Sequence, residues 1–264
     1  MFHTISQGSL EYLTADSLSG SVHCFSTRFG GVSEGHLASL NLGTHRGDRP
    51  ENVRENYRIL GAAVGFAPEQ TVFTKQEHTD TILRVGKANC GTGLLREQTV
   101  VCDGLVTDEP GVALCCFGAD CTTILLFDPA TGALGAVHSG WRGTAMGIAA
   151  KAVSAMTREF GSSPSDIRAA IGPCIGRCCF EVGPEVPEAM RNALGADAEG
   201  CIEPRGEKYH VDLKGTNRLW LARAGLTEID TCPDCTKCRP DRFWSHRAVG
   251  NHRGSQAAII MRKE

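Results

Sequence analysis

The sequence predicts an α/β fold: a single layered domain over residues 1–264, with mixed β-sheets flanked by helices. Three observations carry this. Short apolar runs of strand length recur along the chain, interrupted by stretches of helical period. Several strands come in succession, so a uniform series of βαβ units does not fit. No internal repeat, low-complexity segment or linker-like change of composition divides the chain.

The elements follow in order. The first 23 residues show no clear pattern. Residues 23–27 read as a strand entering a glycine-rich turn, Arg28 to Gly35, and Asn41 to Asp48 form a second Gly/Asn-rich loop. Such residues permit left-handed backbone and close approach to a ligand, although plain surface turns share the composition. Pro50 opens a helix with Val53, Tyr57, Leu60 and Val64 on one face and Gly61 and Gly65 flagging its end. Strands are expected at 71–74, 81–85 and 102–107, around a polar loop at 86–98. In the central stretch from Ala113 to Thr144, Thr122–Phe127 and residues 133–137 read as strands on either side of the turn Asp128-Pro129-Ala130-Thr131-Gly132. After Thr144 comes a helix faced by Ile148, Ala152, Met156 and Phe160, closed by Gly161 and Pro164. A strand at 167–171, a helix at Glu185–Leu194, a strand or helix lead-in at 209–213, a helix at 217–225 and a strand at 257–261 complete the chain.

Composition narrows the function. Apolar residues make up 41% and charged residues 22%, which suits a sizeable core. The net charge is −3 with no long basic run, so nucleic-acid binding has no electrostatic footprint. Neither a membrane span nor a secretory signal is expected, because no apolar stretch is long enough and no basic segment leads an apolar one. Thirteen cysteines, odd in number and often inside apolar runs, fit buried small hydrophobes in a reducing cytoplasm better than a disulfide framework.

Three constellations stand out. His78, Cys121 and His138 each flank a β segment. Two imidazoles and a thiolate suit zinc with a fourth position open, and their wide spacing fits a catalytic site better than a structural one. The rival reading is a thiol nucleophile, Cys121, with a histidine base; the plain reading is a buried cysteine and two satisfied histidines. Gly140-Trp141-Arg142-Gly143-Thr144 has the glycines, helix start and arginine of an anion-binding turn, but could equally be a tight strand–helix connection. Cys232, Cys235 and Cys238 have metal-like spacing without a fourth ligand to match; His246 is the nearest candidate, and a reduced cysteine-rich loop is the simpler reading. Signatures of cytidine-deaminase-type, metalloprotease, nucleophile-elbow and dinucleotide-binding sites are missing. For a blue-copper site, Met146 is the one methionine close by in sequence.

Together the motifs resemble a known family. They are Thr27-Arg28-Phe29-Gly30-Gly31-Val32-Ser33, Asn41-Leu42-Gly43, Gln76-Glu77-His78, Asp103-Gly104-Leu105-Val106-Thr107, Ala119-Asp120-Cys121, Val137-His138-Ser139-Gly140-Trp141-Arg142-Gly143-Thr144, Ile171-Gly172-Pro173-Cys174-Ile175 and Ser245-His246-Arg247. Over residues 24 to 261 the chain is similar to the YfiH/YlmD, or laccase-domain, family. The resemblance implies a layered α/β fold related to cysteine hydrolases, with zinc ligands at His78, Cys121 and His138. It further implies phosphorolysis of adenosine, inosine, guanosine and methylthioadenosine, together with adenosine deamination. Two departures, Ser245-His246-Arg247-Ala248 and Asn251-His252-Arg253-Gly254, put a substrate contact near the C-terminus in doubt.

The expected function is therefore that of a zinc-dependent purine nucleoside enzyme acting on a nucleoside and phosphate as a monomer or homodimer. Cys121, His138 and Asp120 are its catalytic candidates, and Arg28, Asn41 and Arg142 its substrate- or phosphate-binding candidates. The alternatives are a thiol amidohydrolase acting on a peptidoglycan precursor and a copper-dependent polyphenol oxidase, copper being a second possible occupant in vitro. Nine dispersed histidines weigh against a multicopper cluster.

Overall fold

The computed structural model describes residues 1–263. Two six-stranded sheets face each other. In spatial order the first holds Phe2–Gln7, Leu10–Ala15, Val22–Ser26, Gln256–Met261, Ala113–Gly118 and Thr71–Phe73; only the last pairing is parallel. The second holds Ile229–Thr231, Arg168–Ile171, Thr122–Phe127, Leu134–Ser139, Gly104–Thr107 and Ile82–Arg84, antiparallel except at its two edges. Both are mixed sheets flanked by helices, as the sequence leads one to expect.

Strand periodicity sorts the side chains into layers. Leu114 and Cys116 point into the space between the sheets, while Ala113 and Cys115 face the helix Pro50–Val64. On the second sheet Leu125 and Ala136 fill the shared interior, and Ile124, Leu126 and Val137 face the helix Ile148–Phe160. The order is helix, sheet, sheet, helix. A small sheet of Glu181–Val182, Lys208–Val211 and Ile202–Arg205 forms a satellite core with the helix Glu185–Leu194. Among the described residues no helix is long and apolar enough to cross a membrane.

The helix Pro50–Val64 ends where Gly65 turns left-handed at φ 106° and its N–H bonds to the Gly61 carbonyl. Elsewhere the structure departs from the sequence expectations. Residues 2–15 form an edge hairpin, in which the outer strand buries too little for an apolar alternation to show. The helix expected after Thr144 runs over Ile148–Phe160, but a short unforeseen helix, Trp141–Ala145, precedes it, and Gly147 breaks the two. Gly147 has φ 72°, and a Cβ there would press on the Trp220 ring. The helix expected at 217–225 already starts at Leu213, because the Asp212 carboxylate caps the Gly215 N–H.

Leu125 is fully buried between the sheets. Leu125→Ala should cost about 2–5 kcal/mol of stability, read as a lower urea midpoint. Leu95→Ala, at an exposed position, should stay within about 0.5 kcal/mol of the parent.

Candidate functional site

The site lies where the chain crosses from one sheet to the other. Ala113–Gly118 belongs to the first sheet and Thr122–Phe127 to the second, so Ala119-Asp120-Cys121 make the crossing. Asp120 does so with φ 92°, a left-handed backbone that is costly for a residue with a side chain. Its carboxylate accepts hydrogen bonds from Thr236 Oγ1 and the Arg247 N–H, both at 2.6 Å. Cys121 is thereby set at the mouth of its strand. His138, on Leu134–Ser139, pairs in register with Thr123 and projects beside it.

His78 arrives on a loop that a single buried carboxylate organises. Asp103 accepts the backbone N–H groups of Glu77 (3.2 Å), His78 (3.1 Å) and Thr79 (2.8 Å), and the Thr79 hydroxyl at 2.8 Å. It also accepts His138 Nδ1 at 2.7 Å. His78, at φ 61°, is the other non-glycine residue with left-handed backbone among the described residues. Gln76 anchors the base of the loop by bonding to both the N–H and the carbonyl of Phe117.

The result is compact. His78 Nε2 lies 3.7 Å from Cys121 Sγ, and the two imidazoles meet edge to face with centroids 5.0 Å apart. One donor atom from each of His78, Cys121 and His138 falls within 4.8 Å of the others. With Nδ1 tied to Asp103, His138 presents Nε2 to the cluster, the arrangement that a neutral imidazole ligand needs. The donor set and its spacing fit a zinc ion. Gly140 makes room: a Cβ there would sit 2.5 Å from the His78 ring and 3.3 Å from Cys121 Sγ.

The same groups are electrostatically coupled. Burial pushes the Cys121 thiol up, but His138 and His78 outweigh it and bring the thiol down to about 6. Burial pulls His138 down, but the Cys121 thiolate and Asp103 raise it to about 9. Asp103 loses solvent, yet His138 and Thr79 hold it down at about 2. Without a metal, the site is a thiolate–imidazolium pair backed by a carboxylate.

These residues open into a cavity of about 790 Å³. The cavity is also lined by His45, Arg46, His246, Arg247, Arg253 and Ser255. Arg253 is buried, its Nε has no partner, and burial together with Arg46 lowers it to about 10.

Of the residues singled out from sequence, His78, Cys121, His138 and Asp120 come together. Arg28, Asn41 and Arg142 do not line the cavity. Arg28 donates to the carbonyls of Ala38 and Pro240 and stacks on Trp244. Asn41 is buried, bonding Gly43, Asp48 and the Ser255 N–H. Arg142 stacks on Trp141 at the start of a five-residue helix. Met146 is exposed and does not line the cavity either. Asp103, Arg46 and Arg253 acquire their places only from the fold. Asp103 had one visible sign, a carboxylate immediately before a buried strand. The cysteine triplet is also rearranged: Cys232 is buried in the sandwich core, while Cys235 and Cys238 meet Cys178 and Cys179 from another loop.

This fold and pocket define a class. Residues 22–263 match the family described as "Multi-copper polyphenol oxidoreductase laccase", and the chain belongs to that family. It is 39% identical over 255 residues to "Purine nucleoside phosphorylase YlmD" of Geobacillus stearothermophilus, covering 95% of this chain and 93% of the relative. It is 35% identical over 257 residues to a "Purine nucleoside phosphorylase" of Bacteroides thetaiotaomicron, covering 96% and 95%. The crystal structure of the Geobacillus YlmD superposes with a TM-score of 0.93 at 37% identity, covering 99% of both chains. That of a Bacillus licheniformis hypothetical protein, YfiH, also gives 0.93 at 33% identity, covering 98% of this chain and 99% of the other.

Two outcomes follow from the geometry. In metal-free protein, alkylation of the Cys121 peptide by iodoacetamide should reach half its plateau rate near pH 6, against about 8.5 for an ordinary thiol. Asp103→Asn removes the anion that raises His138, so this midpoint should move up; an unchanged midpoint would show that the carboxylate does not tune the pair. Gly140→Ala should displace His78 and weaken zinc binding by roughly tenfold or more in a competition titration, the scale of losing a ligand's support.

Proposed function

We propose that the chain is a zinc-dependent purine nucleoside phosphorylase that also deaminates adenosine. The observation that carries this is one cavity lined both by the His78, Cys121 and His138 set and by the half-buried Arg46 and the buried Arg253. The relatives' names supply the substrate class, and a cavity of about 790 Å³ suits a nucleoside with phosphate beside it.

In phosphorolysis, a phosphate oxygen attacks the ribose C1′ as the bond to the purine nitrogen breaks. Arg253 and Arg46 hold the phosphate. Two guanidinium groups crowded out of water repel each other, and an anion between them relieves both that repulsion and the missing hydrogen bond at Arg253 Nε. This reading transfers the phosphate-binding role from Arg28, Asn41 and Arg142 to residues that reach the cavity. His78, Cys121 and His138 would hold the zinc, which would supply Lewis-acid polarisation when bound. Asp103 orients His138 and keeps it in one tautomer. Asp120 acts as a positioning residue, holding the crossing that presents Cys121. Substrates would be adenosine, inosine, guanosine and methylthioadenosine. The chain's free thiols accord with a cytoplasmic location.

A second reading has a specific observation behind it. Cys121, His138 and Asp103 line up as nucleophile, base and orienting carboxylate, the set a thiol amidohydrolase uses. Copper oxidase chemistry has less support, because of the histidines only His45, His78, His138 and His246 line the cavity.

The deciding experiment is a nucleoside panel with zinc-loaded protein, with and without phosphate. Base release should require phosphate and fall at least about 100-fold in Cys121→Ala. Arg253→Gln should raise KM for phosphate about tenfold or more, with a smaller change in KM for nucleoside. Hydrolysis of amide substrates that survives chelation would favour the thiol enzyme; no base release from any nucleoside would refute the proposal.

A further inference from the structure

Four cysteines outside the cavity form a second cluster. Cys178 and Cys179 sit in a turn that closes with the Cys179 N–H on the Gly176 carbonyl at 2.9 Å. Cys235 and Cys238 lie about sixty residues on, in the loop after Ile229–Thr231. Cys178 Sγ is 3.6 Å and Cys179 Sγ 3.4 Å from Cys238 Sγ, and all four sulfurs fall within 4.8 Å of one another.

We propose that Cys178, Cys179, Cys235 and Cys238 bind one zinc ion in a closed, structural site. A tetrahedron with zinc–sulfur bonds of about 2.3 Å has edges of about 3.8 Å, close to the sulfur separations here. They are far from the roughly 2.05 Å of a disulfide. Four thiolates are a soft donor set that leaves no coordination position open, which assigns the ion a structural role rather than a catalytic one. Binding displaces the thiol protons. The Gly176 N–H, which points at Cys235 Sγ at 3.2 Å, offsets part of the resulting negative charge.

The backbone is already arranged for such an ion. Cys174 and Cys235 form an isolated β-bridge, and the Thr236 N–H bonds the Cys174 carbonyl at 3.1 Å. The ion staples these two loops at the surface end of that bridge. The same loops carry Ile175 and Phe180, which line the candidate active-site cavity, and Thr236, which holds Asp120. The zinc therefore braces one wall of the cavity without entering it. This assignment is independent of the activity proposed above.

The test is elemental analysis of full-length protein purified with zinc under reducing conditions. Three proteins are compared: wild type, Cys178→Ser/Cys238→Ser, and His78→Ala/Cys121→Ala. The double cysteine variant should lose one zinc per chain relative to wild type. The His78/Cys121 variant should keep one. Cobalt exchanged into it should give intense thiolate-to-metal charge transfer and the visible bands of a tetrahedral ion. If the double cysteine variant does not fold, the cobalt spectrum of the His78/Cys121 variant decides alone. Unchanged zinc in the double cysteine variant would overturn the proposal. So would no zinc or cobalt uptake in the His78/Cys121 variant, copper in place of zinc, or a disulfide from Cys178 or Cys179 to Cys238 on peptide mapping.

Discussion

The buried Asp103 carboxylate is the constraint on which the candidate site rests. It has no exposure to solvent and accepts five hydrogen bonds, four from the loop 77–79 and one from His138. Burying a carboxylate is costly unless its oxygens are satisfied, so it cannot release the loop or the imidazole without loss of stability. Its carboxyl is held at about 2, below the ordinary value near 3.9, so this contribution is complete above about pH 4 and lost as pH falls toward 2. One group thus fixes two of the three candidate ligands and biases their protonation.

Backbone strain is placed at the same spot. His78 and Asp120, the two left-handed non-glycine residues among those described, flank the cluster, and each is held by hydrogen bonds from outside its own segment. Asp120 has to turn sharply because its strand leaves one sheet and the next joins the other. The sandwich supplies the rigidity that keeps such conformations occupied. The candidate site therefore lies at the seam between the sheets, where side chains from both converge.

The cysteines divide by environment. Cys24, Cys115 and Cys116 are buried among apolar residues, and burial raises their thiols far above the usual range. They pack as small hydrophobes. Cys121 sits between two imidazoles and is shifted the other way. The surface cluster gathers four sulfurs that no single stretch of sequence contains. Residue type alone could not separate these roles, because position relative to charge and solvent decides the chemistry of a thiol.

The sequence by itself determined what local periodicity and chain chemistry can encode. The apolar run Thr122–Phe127 and the Val53, Tyr57, Leu60 stripe placed the core elements, and residue type picked out His78, Cys121 and His138. Its motifs also pointed to the family. Only the tertiary structure decided which polar groups meet. Asp103 reaches His138 across a strand pair, Arg253 comes to Arg46 from the last stretch of the chain, and Cys178 and Cys179 take the place by Cys235 and Cys238 that spacing offered to Cys232. Arg28 and Arg142, which looked ready for an anion, are spent on carbonyls and indole faces. The physical reason is range: burial patterns repeat every two or three to four residues and can be read locally, whereas hydrogen bonds and coordination depend on ångström distances between segments that only the packed sheets bring together.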